Sequence, residues 1–360
     1  MDSEAVRNHA MNGGDGHHSY KENSSYQGQV VGQIEGLVQK MVAKAVNCHG
    51  SYSPGRSFRV ADMGSSVGPN TLRTVQMIIE AVEKKYRVER LSDRLPEFHV
   101  FFNDRPTNDF NTLFRSLPSE KKYFAAGVPG SFQGRLFPEK FLDFVSCTYA
   151  LNWLSEIPKT VLDQQSPAFN KDKIHYGTAR KEVVDAFTAQ FHEDMYKFID
   201  ARSREVVPGG MMALTIRARP DGTSHHQLLE NRSLNLLGSC ILDMVKKGTI
   251  SEAKVNGFNI PVYFGTPREI EYMVRQDGNF DIEKIDNVTH PRENLADPRT
   301  LDLVVGSWRA ALEGLLVAQF GQEVTEEIFR SWRESFEDPS ILDAVTGMGV
   351  VFLLKRKDVN

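Results

Sequence analysis

Apolar residues recur at steps of three and four in several stretches of the chain and predict amphipathic helices. The clearest stretches lie at 31–45, 72–86 and 183–198. A repeat near 3.6 residues places such positions on one face of a helix, and that face must pack against another layer. The pattern therefore predicts helices that flank a sheet.

Short apolar runs that end in turn residues predict the strands of that sheet. They alternate with the helical stretches along the first 219 residues, which is typical of a doubly wound α/β fold. From 220 to about 345 helical patterning dominates, and it predicts a mostly helical cap over the ligand edge of a Rossmann-like sheet. The predicted strands are 58–63, 98–102, 123–128, 142–147, 211–216 and a late strand at 347–356.

The turn after the first predicted strand has the sequence DMGSSVGPN, from Asp62 to Asn70. A glycine turn that leads into a helix lets backbone N–H groups approach an anionic group. Asp104 ends the second predicted strand, where an acid can accept hydrogen bonds from ribose hydroxyls. The turn is neither GxGxxG nor a phosphate-binding loop. A nucleoside-type cofactor and plain structural turn residues both remain open on spacing alone.

Further candidates follow the third and fourth predicted strands. Ser131 and Phe132 come after a Pro-Gly turn, and Tyr149, Asn152 and Trp153 follow 142–147. An aromatic residue after a turn is more often a core residue than a ligand contact. A buried Trp or Tyr usually finds a hydrogen-bond partner, however, and the ends of parallel strands are where ligands gather.

Gln27 falls on the apolar face of the first predicted helix when its stripe is extended backwards. A buried amide needs partners, because an unpaired one is costly. Gln27 is thus either a core amide satisfied by the protein or a donor directed at a ligand.

Composition and charge narrow the functional classes. The 360 residues are 40% hydrophobic and 25% charged, with a net charge of -4, so no basic surface for nucleic acid is expected. No apolar run approaches the roughly 20 residues that span a bilayer, and the polar N-terminus lacks an apolar core for secretion. Cys48, Cys147 and Cys240 match neither a zinc pattern nor a disulfide framework, so we expect a cytoplasmic protein.

Ordered motifs along nearly the whole chain resemble the plant SABATH methyltransferases. This family holds salicylate, benzoate, jasmonate and loganate carboxyl methyltransferases and caffeine-pathway N-methyltransferases. The runs FHVFFND, FAAGVPGSF and GMGVVFLLKRK are most similar to its loganate and farnesoate branch. The motifs that carry the resemblance are MNGGDGHHSYKENSSYQ, ADMGSSVGPNT, FFNDRPTNDFNTLFRSLP, GVPGSFQGRLFP, YALNWLSEIP, SPAFNK, VVPGGMM and NGFNIPVY.

The resemblance implies a class I methyltransferase sheet, S-adenosylmethionine as cofactor and a small carboxylic acid as substrate. It implies that Gln27 and Trp153 hold the substrate carboxylate and that no residue acts as general base. The implied cofactor contacts are Tyr20, Asp62, Ser65, Asn70, Asp104, Arg105, Ser131 and Phe132. The implied substrate contacts are Tyr20, Gln27, Tyr149, Asn152, Trp153 and Leu234. A peripheral Mg²⁺ site is implied at Asn170, Asn256, Phe258 and Asn259.

Four of these positions depart from the family pattern. Arg105 stands where leucine is common, Asn152 where His or Met is common, and Leu234 where an aromatic residue or His is common. Asn152 and Leu234 are therefore expected to tune which acid fits. Asn256 replaces a usual Asp and would remove a charged metal ligand.

The pattern along the chain also predicts a domain plan, and the resemblance implies a homodimer. The plan has an N-terminal strap at 1–30, a cofactor-binding core at 31–219, a helical cap at 220–345 and a returning strand at 346–360. Two other functions stay open at this point. One is xanthine-type N-methylation in the same fold, which the polar Asn152 would suit, and the other is a non-catalytic protein that binds small acids.

Overall fold

The computed structural model describes residues 9–46, 57–288, 295, 297–338, 341 and 343–358. Seven strands form one sheet in the order β3-β2-β1-β4-β5-β7-β6. Strands β1 to β5 are parallel, while β7 runs antiparallel to both β5 and β6. The strands are β1 (Phe58–Met63), β2 (Phe98–Asp104), β3 (Tyr123–Pro129), β4 (Leu142–Thr148), β5 (Val206–Ala218), β6 (Phe280–Val288) and β7 (Met348–Arg356).

Helices cover both faces of the sheet and form a layer over one of its edges. Short 3₁₀ turns lie at Ser92–Arg94, Lys159–Val161 and His225–Gln227. The described helices are α1 (Tyr20–Asn23), α2 (Ser25–Ala45), α3 (Pro69–Val88), α4 (Phe110–Arg115), α5 (Lys181–Glu205), α6 (Leu229–Lys246), α7 (Glu252–Asn256), α8 (Pro267–Asp277), α9 (Pro298–Phe320) and α10 (Gln322–Ser335).

The apolar core is divided by the sheet into two clusters. In β1, Val60 belongs to the cluster under α2 and α3, and the next residue, Ala61, belongs to the cluster under α5. This follows from the pleat, because successive side chains of a strand point to opposite faces. Val75 of α3 and Phe187 of α5 are fully buried on the two faces. Each such side chain stabilises the fold by roughly 1.5–3 kcal/mol.

The predicted α/β class and its Rossmann-like sheet are confirmed, and so are the predicted strands, but β6 was missed. This strand lies at the sheet edge, and its residues alternate between buried and exposed only in part. A register shift between Ile282 and Lys284 breaks the two-residue repeat that would reveal a strand. β5 also begins earlier than predicted, at Val206, because the Pro208–Gly210 turn lies inside an irregular pairing with β4.

The division of the chain into a strap, a core and a cap stays a prediction. The predicted boundary between 30 and 31 falls inside α2, and the region 220–345 supplies β6 as well as α6 to α10. Trp332 of α10 is buried, and its Nε1 donates a 2.8 Å hydrogen bond to the backbone carbonyl oxygen of Ser233 in α6. No helix within the described ranges has the length and apolarity that a bilayer crossing requires.

Candidate active site

A cavity of about 370 Å³ lies where the parallel strands end. Its floor includes Gly64 after β1, Asp104 at the end of β2, Thr148 at the end of β4 and Arg217 near the end of β5. Ligands of open α/β sheets bind at this edge because the strand order reverses between neighbouring strands there. The N-terminal segment, α6, the segment before α8 and α9 line the other sides.

The glycine turn after β1 is held by strand β2. The backbone N–H groups of Gly64 and Ser65 both donate to the backbone carbonyl oxygen of Asn103 at 2.9 Å. Gly64 has φ +72°, and a Cβ there would lie 2.4 Å from the Ala150 Cβ, so only glycine fits. The buried hydroxyls of Ser65 and Ser66 have no hydrogen-bond partner among the described residues. Ser66 lines the cavity, so its hydroxyl is a polar group that a bound ligand can satisfy.

Asp104 is fixed at the cavity floor by the backbone around it. Its Oδ2 accepts from the Ser66 N–H and its Oδ1 accepts from the Arg105 N–H, each at 2.7 Å. Burial raises the pKa of this carboxyl, although both hydrogen bonds oppose the shift. Each oxygen keeps a further lone pair, so the carboxylate can accept from two ribose hydroxyls.

Some of the predicted cofactor residues lie behind the cavity wall. Asp62 accepts a hydrogen bond from the Thr71 hydroxyl, and burial raises the pKa of Asp62 to about 7. Asn70 Nδ2 donates to the backbone carbonyl oxygen of Ser24 at 2.8 Å, and this bond joins α3 to the start of α2. Gly28 permits this contact, because a Cβ there would lie 2.5 Å from Asn70 Oδ1. These side chains brace the turn rather than line the cavity.

Phe132 lies between the core and the cavity. Its ring meets Phe198 edge to face at 6.1 Å between centroids, and its oxygen accepts from Arg202 Nη1 at 2.7 Å. It also lines the cavity, so it belongs to both the core and the cavity wall, and its contact with the cofactor stays a prediction. Ser131 instead turns away and hydrogen-bonds to Gln133, whose Nε2 donates to the Trp153 oxygen at 3.4 Å.

Gln27 and Trp153 meet the cavity from different elements. Gln27 Nε2 donates to Ser307 Oγ at 3.1 Å, and its buried Oε1 has no hydrogen-bond partner among the described residues. The Trp153 ring lies 5.7 Å from the His9 ring. His9 Nε2 hydrogen-bonds to the Ala311 oxygen at 2.6 Å, and burial lowers the pKa of His9 to about 4.

Asn152 lines the cavity, but the protein backbone satisfies its amide. Its Nδ2 donates to two backbone carbonyl oxygens, that of Arg217 at 2.8 Å and that of Tyr263 at 3.0 Å. Its Oδ1 accepts from the Arg217 N–H at 3.0 Å. The amide therefore ties β5 to the segment before α8. The structure does not bring Leu234 to the cavity, because this fully buried side chain packs in the core.

The structure thus brings part of the predicted set together. Of the predicted residues, those that line the cavity are Tyr20, Gln27, Asp104, Arg105, Phe132, Tyr149, Asn152 and Trp153. Those that do not line it are Asp62, Ser65, Asn70, Ser131 and Leu234.

The residues predicted for Mg²⁺ do not fit that ion. Asn170 Nδ2 donates to Asn259 Oδ1 at 2.6 Å, and Asn256 Oδ1 accepts from the Asp172 N–H at 2.8 Å. Each of these two amide oxygens already accepts one hydrogen bond, and the predicted set contains no carboxylate, the side-chain group through which proteins usually hold Mg²⁺. No cluster of three or more His, Cys, Asp or Glu suited to a metal occurs within the described residues.

Sequence reasoning missed a wall of the cavity that α9 provides. Its members recur at helical spacing, but they mix apolar and polar side chains, so the stripe does not stand out as apolar. His9 and Met11 of the N-terminal segment and the Arg217–Glu230 pair were also missed. The lining residues of α9 are Thr300, Leu303, Val304, Ser307, Trp308 and Ala311.

The chain is similar to known proteins along nearly its whole length. The chain is 39% identical to loganic acid O-methyltransferase of Catharanthus roseus over 338 residues, which are 93% of this chain and 90% of that protein. It is 34% identical to farnesoic acid carboxyl-O-methyltransferase of Arabidopsis thaliana, over 96% of this chain and 98% of the relative. A solved structure of loganic acid methyltransferase with S-adenosylhomocysteine (SAH) superposes with a TM-score of 0.91 at 37% identity, covering 97% of this chain and 99% of that one.

These likenesses confirm the resemblance found in the sequence and the cofactor it implied. The model of the family described as "SAM dependent carboxyl methyltransferase" matches residues 6–357, nearly the full length. S-adenosylmethionine is accordingly the methyl donor, and the unsatisfied Ser66 hydroxyl and the Asp104 carboxylate suit it. The chain belongs to the family of S-adenosylmethionine-dependent carboxyl methyltransferases.

Proposed function

We propose that this enzyme forms the methyl ester of a small terpenoid or iridoid acid, such as loganic acid, or of an aromatic acid. One observation carries the proposal: a single cavity joins Asp104 and the glycine turn to Gln27 and Trp153. The residues at the strand ends that suit the cofactor and the residues that can donate to a carboxylate therefore face the same cavity. The proposed acids follow from the relatives, which are named for loganic acid and farnesoic acid.

The chemistry asks for positioning more than for proton transfer. A carboxylate is ionised at neutral pH, with a pKa of about 4. S-adenosylmethionine supplies an electrophilic methyl on a sulfonium, and the carboxylate oxygen takes this methyl as the carbon–sulfur bond breaks. Gln27 and Trp153 each offer an N–H group that can hold the carboxylate without taking a proton. Such orientation can contribute roughly 7–11 kcal/mol to lowering the barrier.

Burial keeps three titratable side chains of the cavity, His9, Tyr20 and Tyr149, in their neutral forms. The lowered pKa of His9, about 4, leaves its imidazole neutral at pH 7. Burial raises the pKa of Tyr20 and of Tyr149, so both phenols keep their protons and can act as hydrogen-bond donors. This set suits an anion that needs donors rather than a substrate that must lose a proton.

The structure weakens the case for xanthine-type N-methylation. That alternative relied on the Asn152 amide as a polar clamp for a purine. The amide instead binds the backbone of Arg217 and Tyr263. Methyl transfer to a ring N–H would also favour a base that works near neutrality, and His9 has its pKa at about 4.

A turnover assay tests the proposal. The purified protein would receive methyl-labelled S-adenosylmethionine and one compound at a time from a panel of loganic, farnesoic, benzoic, salicylic and jasmonic acids and three xanthines. We expect labelled methyl ester from at least one acid. Label in xanthines alone would support N-methylation, and acid binding without turnover would support the non-catalytic alternative.

The remaining proposals concern assembly and organisation. A strap at 1–30 is supported by His9, Met11 and Tyr20, which line the cavity, while 1–8 lie outside the described residues. A cytoplasmic location is supported by Cys147 and Cys240, which are free thiols, and imaging of a fluorescent fusion tests it. A homodimer rests on the family resemblance, and light scattering of the purified protein tests it.

A further inference from the structure

An ion pair forms part of the cavity wall. Arg217 lies near the end of β5, and Glu230 lies in the first turn of α6. Glu230 Oε1 accepts from Nε and Nη2 of Arg217, each at 2.5 Å. Both side chains are only 10% exposed, and both line the cavity. A charged pair therefore stands at the surface that an acid substrate would contact.

The surroundings of the pair hold it in a fixed position. The backbone N–H and oxygen of Arg217 are bound by the Asn152 amide, beside Trp153. Glu230 Oε2 accepts from the Gly347 N–H at 3.2 Å, and a Cβ at Gly347 would lie 2.6 Å from Glu230 Oε1. Rigid polar groups of this kind are what a binding site needs to fix the orientation of a ligand.

Stability does not explain why the pair is there. Removing two charges from water is costly, and an apolar pair of similar volume is often equally stable or more stable. The neighbouring wall is already apolar, with Leu229, Val262 and Phe264 in the cavity lining. A role in recognition accounts for the charges better than a role in packing.

We propose that the Arg217–Glu230 pair recognises a hydroxyl group on the body of the acid, so that hydroxylated acids are the preferred substrates. This inference rests on the proposed carboxyl methyl transfer. A guanidinium only donates hydrogen bonds and an ionised carboxylate only accepts them, whereas a hydroxyl does both. The pair is neutral overall, so it offers no net attraction to a second carboxylate. The apolar neighbours would contact the hydrocarbon skeleton that carries the hydroxyl.

Matched acids that differ by one hydroxyl test this inference. Suitable pairs are loganic acid with its ring-deoxy analogue and coumaric acid with cinnamic acid. We expect the wild-type enzyme to favour the hydroxylated member of at least one pair by roughly 10–100-fold in kcat/KM, since a site built around a hydroxyl leaves polar groups unpaired without it. Equal kcat/KM within both pairs would overturn the inference.

The variant that replaces the pair is Arg217→Met with Glu230→Leu. We expect the hydroxylated acid to be preferred by no more than about threefold in this variant. The change should appear mostly in KM, because the pair contacts a hydroxyl on the body of the acid and not the reacting carboxylate oxygen. SAH affinity, measured by calorimetry, should stay unchanged and reports a folded protein. A preference that persists in this folded variant overturns the inference.

Two further variants keep the test decisive. If the double variant does not fold, Glu230→Gln replaces it in the test. It retains an acceptor for the Gly347 N–H and a similar shape, and it should lower the hydroxyl preference by roughly tenfold. The matched control is Arg275→Met with Glu271→Leu, an ion pair on α8 outside the cavity, which should keep the wild-type preference. An enzyme that methylates no acid at all would refute the proposed function, and that result is distinct from methylation without a hydroxyl preference.

Discussion

Gln27 Nε2 donates a 3.1 Å hydrogen bond to Ser307 Oγ, although 280 residues separate the two in sequence. The bond joins α2 to α9 across the cavity. Ser307 occupies one of the amide's N–H positions, and an entering carboxylate can take the other or replace the hydroxyl as acceptor. The relationship shows how an amide near the start of the chain is aimed by a helix near its end.

Gln27→Ala and Trp153→Phe should each lower kcat/KM for the best acid. We expect a loss of around 10–100-fold, because each variant removes a hydrogen bond to a charged group that is worth about 1.5–3 kcal/mol. SAH affinity should barely change. Steady-state kinetics with a calorimetric titration of SAH measures both quantities. Ser307→Ala is an informative partner, since it should cost less than Gln27→Ala if it only orients the amide. An unchanged kcat/KM in folded Gln27→Ala would contradict the assignment.

Asp104→Ala should weaken S-adenosylmethionine binding. The variant removes the acceptor at the cavity floor that can hold two ribose hydroxyls, and the expected loss is about 1.5–3 kcal/mol, or roughly 10–100-fold in Kd. Calorimetry gives the affinity, and circular dichroism checks the fold. The exposed Asp93, on the short turn after α3, provides a control, because Asp93→Ala should leave the Kd unchanged. Equal affinity in wild type and a folded Asp104→Ala variant would refute the role.

Much of the sheet could be predicted from the sequence because its central strands are buried on both faces. Such strands are short apolar runs with clear ends, and β4 from Leu142 to Thr148 is buried almost throughout. The edge strand β6 escaped prediction because a register shift interrupts its alternation and much of it faces solvent. Periodicity reports burial, so it fails where a strand is only half buried.

The candidate site was less predictable because its walls come from distant parts of the chain. The strand-end residues Asp104 and Trp153 could be placed, since parallel strands end at one edge. The Arg217–Glu230 pair could not, because nothing local says that the end of β5 meets the first turn of α6. Asn152 was assigned from the resemblance as a selectivity residue, but only the fold shows that its amide binds backbone atoms.

Asn152→Ala should destabilise the protein. The variant removes three buried hydrogen bonds, one from the Arg217 N–H and two to the backbone oxygens of Arg217 and Tyr263, which should lower the free energy of unfolding by about 2–4 kcal/mol. Denaturant unfolding measures this change. Asn287→Ala on the exposed face of edge strand β6 is the control and should stay within about 0.5 kcal/mol of wild type. A reordered acid preference at unchanged stability would instead favour the selectivity role.

Asp62 should make stability depend on pH. Burial raises the pKa of this carboxyl to about 7, whereas it is about 4 in an unfolded chain. The folded state therefore holds the proton more tightly, and ionisation opposes folding increasingly as the pH rises from about 4 to 7. Relative to Asp62→Asn, the free energy of unfolding of the wild type should fall by up to about 4 kcal/mol over that range. It should fall no further at higher pH. Unfolding curves without cofactor at pH 4.5, 6 and 8 (roughly spanning the window) measure the difference. A constant difference would contradict the prediction.

The pH profile of catalysis should lack an essential base between about pH 6 and 8 when the cofactor is saturating. Saturation matters because Asp62 braces the glycine turn and has its pKa at about 7, so its ionisation can change cofactor affinity without touching the chemical step. The acid substrate is ionised throughout this range. His9 has its pKa at about 4 and stays neutral, and the raised pKa of Tyr149 keeps that phenol protonated.

His9→Ala separates a base from a packing contact. His9 lies against Trp153 and binds the Ala311 oxygen, so its loss should raise KM for the acid and leave the shape of the kcat profile flat. A catalytic base would behave differently, since its removal would lower kcat and abolish an inflection that is the same for every acid. Finding such an inflection between pH 6 and 8, and losing it with one substitution, would show that the substrate gives up a proton during methyl transfer. Carboxylates have none to give in that range, so that result would move the enzyme from O-methylation to N-methylation.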